Sequence, residues 1–177
     1  MNALNIEIKA SCTDLEKIRN ILNTRKARFV GIDHQIDTYF NVNHGRLKLR
    51  EGNIENALIH YNRPNQSGPK KSDVLLYKSA PHSSLKKTLT AALGVLTIID
   101  KRRSIYFMDN VKFHLDEVEN LGTFLEIEAI DTDGSREEKQ LKEQCEYYIQ
   151  LFEIKKEDLV ETSYSDLILS VKNMQAK

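Results

Sequence analysis

The chain has no tryptophan, only three prolines, two cysteines and seven glycines among 177 residues. Cys12 and Cys145 stand far apart and form neither the framework of a small disulfide-bonded domain nor the paired spacing of a zinc site. A cytoplasmic location is therefore expected. Proline and glycine gather with serine in one stretch, PNQSGPKKSD (64–73), which reads as a mobile loop whose Lys70 and Lys71 face solvent. No linker or internal repeat divides the chain, so residues 1–177 are expected to form one domain. An excess of either charge is also missing, with Lys plus Arg 26 and Asp plus Glu 26. That balance argues against nucleic acid as a partner. No run approaches the roughly 18 apolar residues of a membrane span, and MNALNIEIKA lacks the layout of an export signal. Neither a membrane partner nor a leader is expected.

What is present is a change of period along the chain. Thr13 with Glu16 reads as a capping box ahead of the stripe Leu15, Ile18, Ile21 and Leu22. Ser83 or Ser84 starts a second helix through Leu85, Leu89, Ala92 and Leu93, with Gly94 as its stop. Ser135 with Glu138 opens a third, with Leu141, Cys145, Tyr148, Ile149 and Phe152 behind it. Short helical turns are expected at 155–160 and near 165–169. Segments 5–9, 35–42, 46–51, 57–63, 73–78, 98–107, 111–118 and 123–130 alternate with period two and read as strands. The fold class is α+β: an antiparallel sheet of eight strands, closed into a β-barrel to remove its edges, with helices packed on the outside.

The strand faces carry the functional signal. In NIEIK, Asn5, Glu7 and Lys9 share one face; in RLKLR, Arg46, Lys48 and Arg50 do. Arg63 follows Ile59 and Tyr61, Lys101 alternates to Arg103, and Lys112 to His114 and Asp116. FLEIE (124–128) adds Glu126 beside Glu128. Each opposite face is apolar and needs a cover, which the amphipathic helices supply from outside. The charged faces then point inward. Unpaired ions in a dry core cost several kcal/mol each, so the interior is expected to be a wet cavity. Cationic strands suit a polyanion and grouped carboxylates suit a hard divalent cation; together they describe a site for a metal-bound polyphosphate. His34, His44, His60 and His82 show no ligand spacing, whereas His114 shares the face of Asp116.

NIEIK, HQIDTYF (34–40), RLKLRE, LIHYNRP (58–64), DKRRSIYF (100–107) and FHLDEVENLGTFLEIEA (113–129) together resemble the CYTH superfamily of triphosphate tunnel metalloenzymes. HLDEVENLGTFLEIE and DTYF most resemble its class IV adenylyl cyclase branch. The resemblance implies an eight-stranded barrel open at both ends, holding a nucleoside triphosphate or inorganic triphosphate. It implies that Glu7, Glu126 and Glu128 bind Mg²⁺ or Mn²⁺, and that Lys9, Lys48, Arg50, Arg63, Lys101, Arg103 and Lys112 hold phosphate oxygens. Asp116 and Lys9 are the catalytic candidates, Asp116 for deprotonating or orienting the attacking oxygen. A homodimer is compatible with the family. The family pattern Glu-x-Glu-x-Lys is Asn5-Ile6-Glu7-Ile8-Lys9 in this chain. Asn5 retains a carbonyl oxygen but no charge, which weakens one metal position.

Three activities follow from these readings. Cyclisation of ATP to cyclic AMP and pyrophosphate is expected first. Hydrolysis of inorganic or organic triphosphate, as in a thiamine triphosphatase, is the alternative, and a non-catalytic nucleotide or polyphosphate sensor the third. Replacing Glu126 or Glu128 by Ala is expected to abolish turnover and leave the fold intact.

Overall fold

The computed structural model describes residues 4–175. Eight strands carry the chain: β1 (Leu4–Ser11), β2 (Arg28–Phe40), β3 (Arg46–Gly52), β4 (Ala57–Asn62), β5 (Lys70–Lys78), β6 (Val95–Met108), β7 (Val111–Val118) and β8 (Gly122–Asp131). They close into a barrel in the order β1-β5-β4-β3-β2-β6-β7-β8, every neighbour antiparallel. Closure leaves no edge strand to pair with another chain. Four helices accompany the barrel: α1 (Leu15–Thr24), α2 (Leu85–Leu93), α3 (Glu138–Leu151) and α4 (Tyr164–Gln175). None of the described helices is long and apolar enough to cross a membrane.

Two apolar clusters decide which way the strand faces turn. Outside the barrel, Ile6 and Ile8 of β1, Phe113 and Leu115 of β7, and Leu125 and Ile127 of β8 pack with Ile18 and Leu22 of α1. Leu141, Cys145 and Phe152 complete that cluster. Each of these strand residues alternates with a charged one, so covering the apolar face from outside commits the charged face to the interior. Both cysteines are free thiols. The second cluster lies at one end of the barrel. Tyr164 and Ile168 of α4 pack onto Tyr39, Tyr61, Ile99, Val118 and Phe124, which share the inward parity of their strands. The tunnel implied by the resemblance has two open ends; α4 closes one of them.

Local details depart from the sequence reading in instructive ways. The N-cap of α1 is Asp14, whose carboxylate accepts from the Lys17 amide at 2.9 Å, one residue after Thr13. At α3 the reciprocal box is Glu137 with Gln140, two residues beyond the Ser135 pattern. Gly94 ends α2 at φ 70°, a conformation that favours glycine. The segment read as a mobile loop already contains the start of β5. Its Lys70 is wholly buried, donating to the carbonyls of Gln66, Val160 and Glu161 at 3.3, 3.1 and 3.0 Å. The expected solvated lysine is therefore a clasp tying β5 to the segment that leads into α4.

Candidate active site

The inward faces enclose a cavity of about 490 Å³. Seven cations line it, namely Lys9, Lys48, Arg50, Arg63, Lys78, Arg103 and Lys112, against the carboxylates Glu7, Glu55, Glu126 and Glu128. Of the seven residues expected to hold phosphate, six line this cavity. The seventh, Lys101, is fully buried beside Asp37 and does not reach it.

The carboxylates form a corner on adjoining strands. Glu7 on β1 is the cross-strand partner of Glu128 on β8, as Lys9 is of Glu126. His114 on β7 lies directly opposite Glu126, with Nδ1 3.3 Å from Oε2 of Glu126 and 3.6 Å from Oε1 of Glu128. One ligand atom from each of His114, Glu126 and Glu128 falls within 4.8 Å of the others. Glu7 also contacts the Arg63 guanidinium. Burial raises the Glu7 carboxyl above its ordinary range against the pull of Arg63, and the nearby Glu128 and Glu126 charges add to the rise. Glu126 behaves oppositely. Burial alone would raise it, but Arg103 at 2.7 Å and Lys9 at 3.2 Å hold it well below the usual range. Burial, with Arg103 and Lys112 nearby, lowers His114.

The donor set fits a hard divalent cation: three carboxylates on one wall, an imidazole between two of them, and like charges whose repulsion a cation would offset. Asn5 lines the same cavity, and its Oδ1 is buried without a hydrogen-bond partner. The amide that stands in the family's first carboxylate position thus has a carbonyl oxygen that no structural hydrogen bond satisfies.

Beneath the lining, buried carboxylates aim the cations. Asp37 on β2 accepts from Arg50 Nε at 2.9 Å and Nη2 at 3.0 Å, from Lys48 at 2.9 Å and from Lys101 at 2.6 Å. Asp116 grips Arg103 through two bonds, at 2.7 and 2.5 Å, and accepts the Tyr164 hydroxyl at 2.8 Å. Asp116 is fully buried and lies outside the cavity lining. Its carboxyl, which burial alone would raise, is held low by Arg103 and so makes a poor proton acceptor. Tyr164 also places its ring 3.6 Å from Lys9 Nζ. Burial lowers the Lys9 ammonium against the Glu126 charge.

Glu55 is the least expected member of the site. It sits on the β3–β4 turn, where Asp33 accepts the amides of Ile54 and Glu55 at 2.8 and 3.0 Å and fixes the turn. From there its carboxylate reaches Arg50 at 2.8 Å and Lys112 at 2.6 Å, bridging β3 and β7, which lie three strands apart around the barrel. Asp37 was detectable in the sequence, because it shares parity with Tyr39 in DTYF. Glu55 and Tyr164 were not, since neither belongs to an alternating strand.

Residues 3–164 match the CYTH domain. A Methanocaldococcus jannaschii protein provisionally named an adenylate cyclase is 25% identical over 173 residues, covering 93% of this chain and 98% of its own. A solved Pyrococcus horikoshii structure is similar with a TM-score of 0.76 at 25% identity, across 92% of this chain and 98% of that one. A Hippeastrum protein, provisionally named an adenylyl cyclase and described as having a dominant triphosphatase activity, shares the fold at a TM-score of 0.63 and 14% identity. That match covers 98% of this chain and 96% of the other.

Proposed function

This chain belongs to the CYTH domain family, and from that premise we propose that it is a divalent-metal-dependent enzyme acting on a triphosphate held inside the barrel. The observation that carries the reading is the convergence of seven Lys and Arg with Glu7, Glu126, Glu128 and His114 on one cavity. A pure polyanion binder would gain nothing from those carboxylates. Adenylate cyclisation of ATP is the first assignment, supported by the name of the Methanocaldococcus relative. Triphosphate hydrolysis is the second, favoured by the activity described for the Hippeastrum protein.

Glu7, Glu126 and Glu128, with His114 and the Asn5 carbonyl beside them, would hold Mg²⁺ or Mn²⁺, which supplies charge neutralisation and a lowered pKa for the attacking oxygen. The remaining chemistry is positioning and electrostatics. Arg50 and Arg103, whose Nε–Nη2 edges are held by Asp37 and Asp116, turn their remaining guanidinium N–H groups and their charge to the phosphate oxygens, Arg63 adds a third guanidinium, and Lys9, Lys48 and Lys112 act as point charges on the departing phosphates. Asp37 and Asp116 keep these cations oriented before substrate arrives, so little reorganisation accompanies the reaction. On this reading Asp116 acts as a positioning residue for Arg103 rather than directly on the attacking oxygen. Lys101 acts likewise, through Asp37. Lys9 faces the cavity between Glu126 and the Tyr164 ring, placed to donate to a phosphoryl oxygen as charge develops on it.

Phosphorus NMR of the protein with Mg²⁺ or Mn²⁺ and either ATP or inorganic triphosphate separates the readings. Cyclic AMP with pyrophosphate is the expected product. Orthophosphate instead makes the protein a hydrolase, and binding without product makes it a sensor.

A further inference from the structure

The cavity is blind at one end, where α4 closes it and the Tyr164 ring meets Phe124 with centroids 5.0 Å apart. Towards the other end Lys112 lies across from Glu128, four residues beyond Phe124 on β8 and so about 13 Å along the strand from that floor. A channel of this depth holds a short polyphosphate. Depth alone does not stop a longer chain from running out through the open mouth, and seven lining cations would favour the extra charge.

Glu55 stands at that mouth, and three donors hold its carboxylate. Oε2 accepts from Arg50 at 2.8 Å and from Gln35 Nε2 at 3.1 Å, and Oε1 pairs with Lys112 at 2.6 Å. The turn that carries it is equally fixed. Besides the two amide bonds to the wholly buried Asp33, the Asn56 side chain bonds the amide and the carbonyl of Gly52 at 3.2 and 2.8 Å. A Cβ on Gly52 would stand 2.7 Å from the Asp33 carboxylate, so only glycine lets the turn pack this closely. Burial alone would raise the Glu55 carboxyl, but Lys112 and Arg50 hold it well below the usual range. The mouth therefore carries a permanent anion on a rigid turn. A carboxylate among phosphate-binding cations adds nothing to their hold on a polyanion, and its repulsion falls hardest on the phosphate nearest to it.

We propose that Glu55 sets the length of polyphosphate that the barrel accepts, by repelling an ionised fourth phosphate at the mouth. The inference rests on the triphosphate reading of the charged wall and narrows it, since chains of four or more phosphates are rejected. With one terminal phosphate on the floor beside Lys9 and Tyr164, the third lies towards Arg50 and Lys112, and the next group meets Glu55. An ester carbon at that place carries no charge and is tolerated. The limit therefore applies alike to inorganic triphosphate and to an organic one.

The test compares analogues of inorganic triphosphate and tetraphosphate in which every bridging oxygen is replaced by methylene, so that neither can be hydrolysed. Binding is measured calorimetrically at saturating Mg²⁺. The wild type is expected to bind the tetraphosphate analogue about tenfold more weakly than the triphosphate analogue, against the order that charge alone would give. Glu55→Gln keeps the backbone amides that Asp33 holds and alters a partly exposed side chain, so the variant folds. It should bind the tetraphosphate analogue at least as tightly as the triphosphate analogue. A wild type that binds the longer analogue as tightly as the shorter overturns the inference while the triphosphate site stands. So does a preference that persists unchanged in Glu55→Gln, which would place the limit elsewhere than in this carboxylate. If the wild type binds neither analogue, the triphosphate reading itself falls, and the length limit with it.

Discussion

Replacing Glu126 and Glu128 separately by Gln distinguishes two carboxylates that look equivalent in FLEIE. Glu126 holds Arg103 at 2.7 Å, Lys9 at 3.2 Å and His114 at 3.3 Å, with side-chain exposures of 15% for Glu126 and 3% for each cation. Removing one partner of a buried ion pair costs about 3–5 kcal/mol. The lower end applies, because Arg103 keeps Asp116 and Lys9 keeps the Tyr164 ring. For a chain of this size about 3 kcal/mol lowers the melting temperature by roughly 6–12 °C. Glu128 has no such ion pair: His114, whose pKa burial lowers, lies 3.6 Å away, Lys112 across from it on β7 is paired with Glu55, and Glu7 lies across from it on β1. Its replacement should stay within about 1 kcal/mol. Both variants should lose turnover. Both should also lose the stabilisation that Mg²⁺ gives the wild type, about 2.7 kcal/mol at a hundredfold excess over Kd. Calorimetry with and without Mg²⁺ reads all of these effects. Equal destabilisation of the two variants, or a retained Mg²⁺ shift in Glu128→Gln, refutes the reasoning. For Glu126 this predicts a cost to the fold where the sequence reading expected none; for Glu128 the two expectations agree.

Glu55→Gln frees Arg50 and Lys112 from a competing carboxylate, so the uncleavable triphosphate analogue should bind roughly two- to fivefold more tightly; weaker binding would mean that Glu55 supports the ligand instead. Asn5→Glu restores a charge beside an orphaned oxygen position and should lower the Mg²⁺ concentration for half-maximal activity, which a metal titration at fixed substrate measures. An unchanged titration would separate Asn5 from the metal. The Asp37 carboxyl is held well below its usual range by Arg50, Lys101 and Lys48, which outweigh the upward push of burial. A group with a depressed folded-state pKa adds stability that is present above the unfolded value of about 3.9 and lost as pH falls through the folded one. Urea midpoints of the wild type should therefore fall steeply below that pH, and those of Asp37→Asn should start lower and fall less. Parallel curves would remove Asp37 from the acid response.

Much of the architecture was legible because strand alternation is a local property. Ile6 and Ile8 against Glu7 and Lys9, or Leu125 and Ile127 against Glu126 and Glu128, specify two faces without any knowledge of partners. The amphipathic stripes Ile18–Leu22 and Leu141–Cys145–Phe152 supply the outside cover, so the inward turn of the charges follows from the hydrophobic effect. Six of the seven expected phosphate ligands and all three expected metal ligands accordingly line one cavity. The strand pattern could not separate Lys101 from Lys48, or Asp116 from Glu126, because parity assigns a face and not a depth.

Depth, closure and pairing belong to the tertiary structure. Only the barrel's stagger sets Asp37 among Arg50, Lys48 and Lys101 and buries Asp116 behind Arg103. Residues far along the chain, Glu55 on a turn and Tyr164 on α4, reach the site through contacts that no periodicity encodes. The sequence by itself determined that charge would line the interior, since each strand's own alternation dictates which face meets oil and which meets water. Which of those charges are left free for a ligand was decided only when eight strands closed around them. Ion pairing depends on distances of a few ångströms between segments that, for Lys9 and Glu126, lie more than a hundred residues apart, and those distances exist only in the folded chain.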